Sequence, residues 1–251
     1  MKADLYRLSR TKSVYIALLI LAVMFLYSTL TGKVGTIVEV NENGNSTLPP
    51  PNLDFISALQ NFNLTAGFLI FGYIIYFTQV FSIEFGNRTF KNILMAGTSR
   101  TKYIFSKLLT LLILVFSTTI FYYLMNAVVA YFYYEKTSSI PTGFWSSTAV
   151  FIVGLTLGIM VYFIIASLLQ ILFNSTVAAT LFIGLGPVVV HFLQMIQEWE
   201  WLKYVNYFSI SQALALGLIK GKELLPYIYV NGTIVVIVII LNIWLFKKKE
   251  F

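Results

Sequence analysis

Residues 145–173 read WSSTAVFIVGLTLGIMVYFIIASLLQILF, a run without one Asp, Glu, Lys or Arg. As a helix it is long enough to cross roughly 30 Å of hydrocarbon, and a helix satisfies its own backbone donors and acceptors where lipid cannot. Working outward, five more runs have the same character, at 14–30, 62–83, 108–134, 177–194 and 226–246. A shorter apolar stretch, 207–219, cannot cross and reads as a re-entrant or interfacial helix pair with 199–203 before it. The expected fold class is all-α: a polytopic membrane protein with six transmembrane helices, forming a single transmembrane domain over 1–251.

The bulk composition agrees. Hydrophobic residues make up 58% of the chain and charged residues 11%, with a mean hydropathy of +0.81. Soluble domains carry about a quarter charged residues to cover their surfaces. There is no cysteine, which excludes disulfides and thiolate metal sites. The first apolar run follows a basic start without a small-residue cleavage site, so it is expected to be a retained span.

The net charge of +7 is a topology signal and not a nucleic-acid footprint. With the N-terminus inside, twelve of the seventeen Lys and Arg fall on the inner side and five on the outer side. The acidic residues are biased the other way, three inside and seven outside. Inner basic excess sets orientation, so both termini are expected in the cytoplasm, in a multi-pass protein of the cell membrane. Trp145, Trp199 and Trp201 fall at the outer ends of spans and Trp244 at an inner end, where amphipathic rings favour the headgroup level. Residues 31–61 form a linker-like outer loop, with turn residues at 41–47 and Pro49, Pro50 and Pro51.

The inner loop after the second span, 84–107, reads EFGNRTFKNILMAGTSRTKYIFSK and holds five of the seventeen basic residues. Its pattern predicts structure. Thr89 is a candidate cap, and Phe90, Ile93 and Leu94 follow at helical spacing with Lys91 on another face. Gly97 suits a left-handed helix end, and Thr98 or Ser99 can cap the next helix. Such a short amphipathic helix has two uses. It can lie on anionic headgroups, or its apolar knob can enter a groove on a soluble partner.

Glu84, Gly86, Thr89, Ser99, Arg100 and Lys107 together resemble the pattern of the ABC-2 family of ABC-transporter permeases. The resemblance implies six spans with an N-terminal interfacial helix, a cytoplasmic coupling helix between the second and third, and short re-entrant helices before the sixth. It implies docking of cytoplasmic ABC ATPase subunits through Glu84, Gly86, Arg88, Thr89, Phe90, Lys91, Ile93, Leu94 and Arg100. It also implies a second permease, identical or paralogous, to complete a dimer. Family members often carry Pro just before the Ser-Arg pair, where this chain has Gly97 and Thr98. At the N-terminus, Leu5 and Leu8 share a face, with Arg7 and Arg10 available to membrane lipid, as an interfacial helix requires.

What is missing shapes the functional expectation. Residues 217–223 lack the Ser or Thr that would hold magnesium in a phosphate loop, so ATP and Mg²⁺ are expected on the partner ATPase, with no cofactor on this chain. No zinc-protease or nucleophile-elbow motif is present, and no metal or catalytic site is expected. His191, near Gln194, is expected to bond between helices. The spans carry almost no mid-membrane charge, unlike ion channels and proton-coupled carriers. With 22 Phe and 16 Tyr, the chain suits a greasy interface for an amphiphilic or hydrophobic cargo. In size it resembles permeases of Gram-positive peptide exporters, among them lantibiotic-immunity and phenol-soluble-modulin systems, which implies an antimicrobial-type peptide as cargo. The alternatives are a gradient-driven secondary transporter or channel, and a non-transporting membrane scaffold or sensor.

Overall fold

The computed structural model describes residues 54–87, 89–134, 142–197, 199–219 and 223–248, together with Tyr6, Arg10, Thr11, Lys12, Val14, Tyr15, Leu19 and Ala22. The described residues are almost entirely helical. Five helices are long and apolar enough to cross a membrane: α1 (Phe55–Gly86), α3 (Arg100–Tyr133), α4 (Phe144–Phe173), α5 (Thr176–Gln197) and α7 (Leu224–Lys248). Two short helices stand between them, α2 (Phe90–Met95) and α6 (Tyr207–Ala215), with a 3-10 turn at Glu200–Tyr204. Each long helix overlaps one of the expected spans; α3 begins eight residues before its span and ends one residue short of it, at Tyr133. The expected first span, 14–30, lies outside the described residues except for Val14, Tyr15, Leu19 and Ala22, which are helical.

α1 is irregular. It tightens to a 3-10 turn at Thr65–Phe68 and widens to a π segment at Thr78–Ser82. A π segment leaves backbone groups off the usual ladder, and neighbouring side chains take them up. Gln170 of α4 does so here: its Nε2 donates to the Ser82 carbonyl at 3.2 Å, while Ser82 Oγ donates to Gln170 Oε1 at 2.6 Å.

α4 is the centre of the bundle and packs against α3, α5, α6 and α7. Its sequence explains the role: its buried residues run from Phe151 to Ile171, and Gly154 and Gly158 sit one turn apart. A Cβ on Gly154 would come within 2.7 Å of Leu214, and one on Gly158 within 3.2 Å of Tyr207, both on α6. Small residues bring α6 against the long helix, as close helix packing in lipid requires. The stretch 207–219, too short to cross, is accordingly folded against the bundle, with Tyr207, Phe208, Ser211, Leu214 and Ala215 buried.

Polar residues lock the ends. Asn206 caps α6, its Oδ1 accepting from the Phe208 and Ser209 N–H groups. That fixes its amide, so Nδ2 donates to His191 Nδ1 at 3.1 Å and to Gln194 Oε1. His191 thus bonds between helices. Asn126 Nδ2 donates to Asn63 Oδ1 at 2.9 Å, tying α3 to α1 where both are buried.

Candidate functional site

The segment 84–107 folds as a helix end, a one-turn-and-a-half helix and the start of α3. α1 stops at Gly86, and α2 begins four residues on. Thr89 stands at the cap position, but its hydroxyl donates to the Glu84 carbonyl at 3.3 Å and makes no capping bond to α2. This corrects the expectation of a side-chain cap: the hydroxyl is spent on tying α2 back to α1. Gly97 has φ +89° and its N–H donates to the Leu94 carbonyl, the left-handed stop expected from its position. Ser99, not Thr98, caps α3, accepting from the Lys102 N–H.

Beneath α2 lies a buried ionic cluster. The Lys107 ammonium is 2.7 Å from Glu84 Oε1, and the Tyr103 hydroxyl donates to Glu84 Oε2 at 2.8 Å. Both charged side chains are nearly sealed from solvent, at 4% and 5% exposure. Tyr103 and Lys107 are four residues apart, one helical turn, so α3 presents both groups to the carboxylate at the end of α1. A pair this buried is weak support for stability but a strong constraint on geometry, because parting the charges is costly.

Aromatic rings continue the joint. Phe77, Phe81, Phe85 and Phe90 stack in sequence, with centroids 5.6, 4.9 and 4.7 Å apart. Phe246, near the end of α7 and fully buried, packs against Phe85, Phe90 and Tyr103 at 5.7–6.0 Å. Arg100 completes the attachment: its guanidinium donates to the carbonyls of Phe246 (2.8 Å) and Lys247 (2.7 Å). Those are carbonyls that the last turn of a helix leaves unsatisfied. α2 is therefore tied to α1 and α7, which the Glu84–Lys107 pair and Arg100 in turn fasten to α3.

The structure brings Glu84, Thr89, Phe90 and Arg100 together, but it points most of them inward. Phe90, expected on the docking face, is 2% exposed, because its ring completes the aromatic stack. Ile93 and Leu94 are half-buried against the same core. Arg100 is half-buried on the end of α7, and Glu84 lies beneath α2. Exposed instead are Gly86, Thr89, Asn92, Met95, Ala96 and Gly97, and Met95 is 78% exposed. Lys91 is half-buried. Arg88, Leu5, Arg7 and Leu8 lie outside the described residues. Arg10 is exposed on a helical residue, its guanidinium 5.2 Å from the Tyr6 ring centre.

Sequence reasoning missed Tyr103 and Phe246 as parts of this site and used Lys107 only as a pattern position. The signal was present for Tyr103 and Lys107. They share a helix face one turn apart, and Lys107 is a charge at the start of an otherwise uncharged span. Phe246 had no such signal.

Away from this joint, an open cleft of about 420 Å³ lies between α3, α4 and α7. Its walls are apolar, and apolar cavities do not hold water. Among the described residues, no group of three or more His, Asp or Glu is placed to hold a metal ion.

The family model for "ABC-2 family transporter protein" matches residues 1–193, which takes in α1 to α4 and most of α5. Comparison with curated proteins finds no match. The match covers well over half of the sequence, and the long apolar helices of the described residues are in keeping with it. The chain belongs to the ABC-2 family of transporter proteins and is a multi-pass membrane protein.

Proposed function

We propose that the chain is the permease subunit of an ATP-driven exporter, and that a separate cytoplasmic ATPase docks on α2. The observation that carries this is the attachment of α2. The ring of Phe90 packs on Phe85 of α1 and Phe246 of α7, and the Thr89 hydroxyl bonds the Glu84 carbonyl, so α2 sits on a joint where the Glu84–Lys107 pair and Arg100 fasten α1, α3 and α7 to one another. A headgroup-binding helix needs no such rigid seat; a helix that transmits force does. Its outward tip, Asn92, Met95 and Ala96, is then the part that meets the ATPase, with Met95 as the apolar knob. Glu84 and Phe90 act from behind by holding α2 in place and Arg100 by holding the end of α7 at the same joint, while Gly86, Arg88, Thr89, Lys91, Ile93 and Leu94 complete the docking segment.

In this reading the chain crosses the cell membrane six times, with both termini and α2 in the cytoplasm and 1–12 lying along the inner surface. It works as a dimer with a second copy or a paralogue. ATP and Mg²⁺ bind the ATPase, whose closure moves α2 and rocks α1 and α3, and through Phe246 also α7. The cargo is an amphiphilic or hydrophobic molecule, a peptide in the closest analogy. The uncharged spans and aromatic-rich interior support that class.

The test is copurification of the chain with the ATPase expressed beside it. Met95→Asp leaves the buried joint untouched, so the helix bundle should keep its thermal stability while the ATPase is lost from the complex. Unchanged complex formation by that variant would overturn the docking site. Transport by the lone chain in nucleotide-free proteoliposomes would overturn the whole reading.

A further inference from the structure

The apolar cavity between α3, α4 and α7 has a shape that selects its occupant. On α7 its lining runs from Leu224 to Ile239, so the cleft is roughly 22 Å long at 1.5 Å per residue. Spread over that length, 420 Å³ makes a slot narrower than a helix with its side chains. An α-helix, about 10 Å or more across with its side chains, does not fit such a slot. One hydrocarbon chain does. The short helix α6 closes one part with Ile210 and Leu214, and Leu109, Leu157 and Ile228 are lining residues that remain exposed at the rim.

The cleft follows from how α7 is held. Asn242 Nδ2 donates to the Ile164 carbonyl and Ser167 Oγ on α4, and Phe246 is buried below it. Higher up, Asn231 Nδ2 bonds the Tyr204 and Tyr227 carbonyls. Beside Asn231 the helix stands off: a Cβ on Gly232 would meet no heavy atom of a described residue within 4 Å. In a bilayer, a dry cleft with an exposed rim is bathed by acyl chains and by little else.

We propose that this cleft is a binding site for one acyl chain of a membrane lipid, held between α3, α4 and α7. The lining presents almost no polar surface, so recognition is of the chain and not of the headgroup, which stays outside. This site is separate from α2 and does not rest on the ATPase reading.

The experiment reconstitutes the full chain in phosphatidylcholine vesicles doped with phosphatidylcholine carrying a diazirine midway along one chain. After illumination, labelled residues are mapped by mass spectrometry. Label should concentrate on Leu109, Leu157 and Val235, over lipid-facing positions outside the cleft such as Phe116 and Val189. Gly232→Phe, which places a ring in open space, should abolish the cleft label, and Leu157→Phe should reduce it. Val236→Phe, exposed on α7 but not in the lining, should leave it unchanged. A phosphatidylglycerol probe should label equally well. Circular dichroism of each variant confirms the fold. Even labelling of all lipid-facing helices, label that survives Gly232→Phe in a folded protein, or no cleft label in the wild type because a second copy covers it, would each overturn the proposal.

Discussion

Removing Lys107 or Glu84 singly should destabilise the bundle far more than removing both. The ammonium and carboxylate stand 2.7 Å apart at the junction of α1 and α3, almost fully buried. With an effective dielectric of about 20, attraction at that distance is about 6 kcal/mol, and the desolvation of two ions offsets most of it. The intact pair is therefore nearly neutral to stability. Lys107→Met takes this cation from the buried carboxylate, and Glu84→Leu takes this anion from the buried ammonium. Each should cost about 3–5 kcal/mol. The double variant Glu84→Leu/Lys107→Met removes both charges together and should fall within about 1–2 kcal/mol of the wild type, on either side. The assay is equilibrium unfolding of the purified chain in mixed micelles, followed by circular dichroism, for all four proteins of the cycle. If the two single losses simply add in the double variant, the charges do not couple, and the ion pair is not what joins α1 to α3.

Arg100→Gln should free the end of α7. The lost bonds are charge-assisted but half-exposed, so about 1 kcal/mol is expected, read as about fivefold faster amide exchange over 243–248. Unchanged exchange there would mean that the end of α7 is held without Arg100. Asn206→Ala should cost about 2 kcal/mol in unfolding, above a plain cap, because the same amide also holds His191 and Gln194 of α5. Asn206→Asp keeps the capping acceptor and loses the donor, so it should fall between; equality with the wild type would show that the bonds to α5 contribute nothing.

How much of this was legible can be judged residue by residue. The five long described helices follow the hydropathy runs, and Gly97 and Ser99 take the turn and cap positions that their chemistry predicts. The direction of α2's apolar face was not legible. Helical spacing of Phe90, Ile93 and Leu94 says that they share a face, but not whether that face meets a partner or the chain's own bundle. The answer depends on Phe85 and Phe246, and Phe246 is 156 residues from Phe90 in the sequence. Thr89 shows the same limit at short range. Its hydroxyl had two acceptable uses, and the approach of the Glu84 carbonyl decided between them.

The sequence by itself determined the solvent of this protein, where its described crossings run, and the turn that separates α2 from α3. These are local quantities, set by transfer free energies summed over one helix and by the backbone preferences of single residues. Only the tertiary structure decided that Glu84 and Lys107 neutralise each other, that Arg100 holds the end of α7, and that α6 lies against Gly154 and Gly158. Those are pairings between elements far apart along the chain. In lipid, where burying one more apolar side chain changes little, the choice among pairings falls to shape, ring stacking and the few buried polar groups.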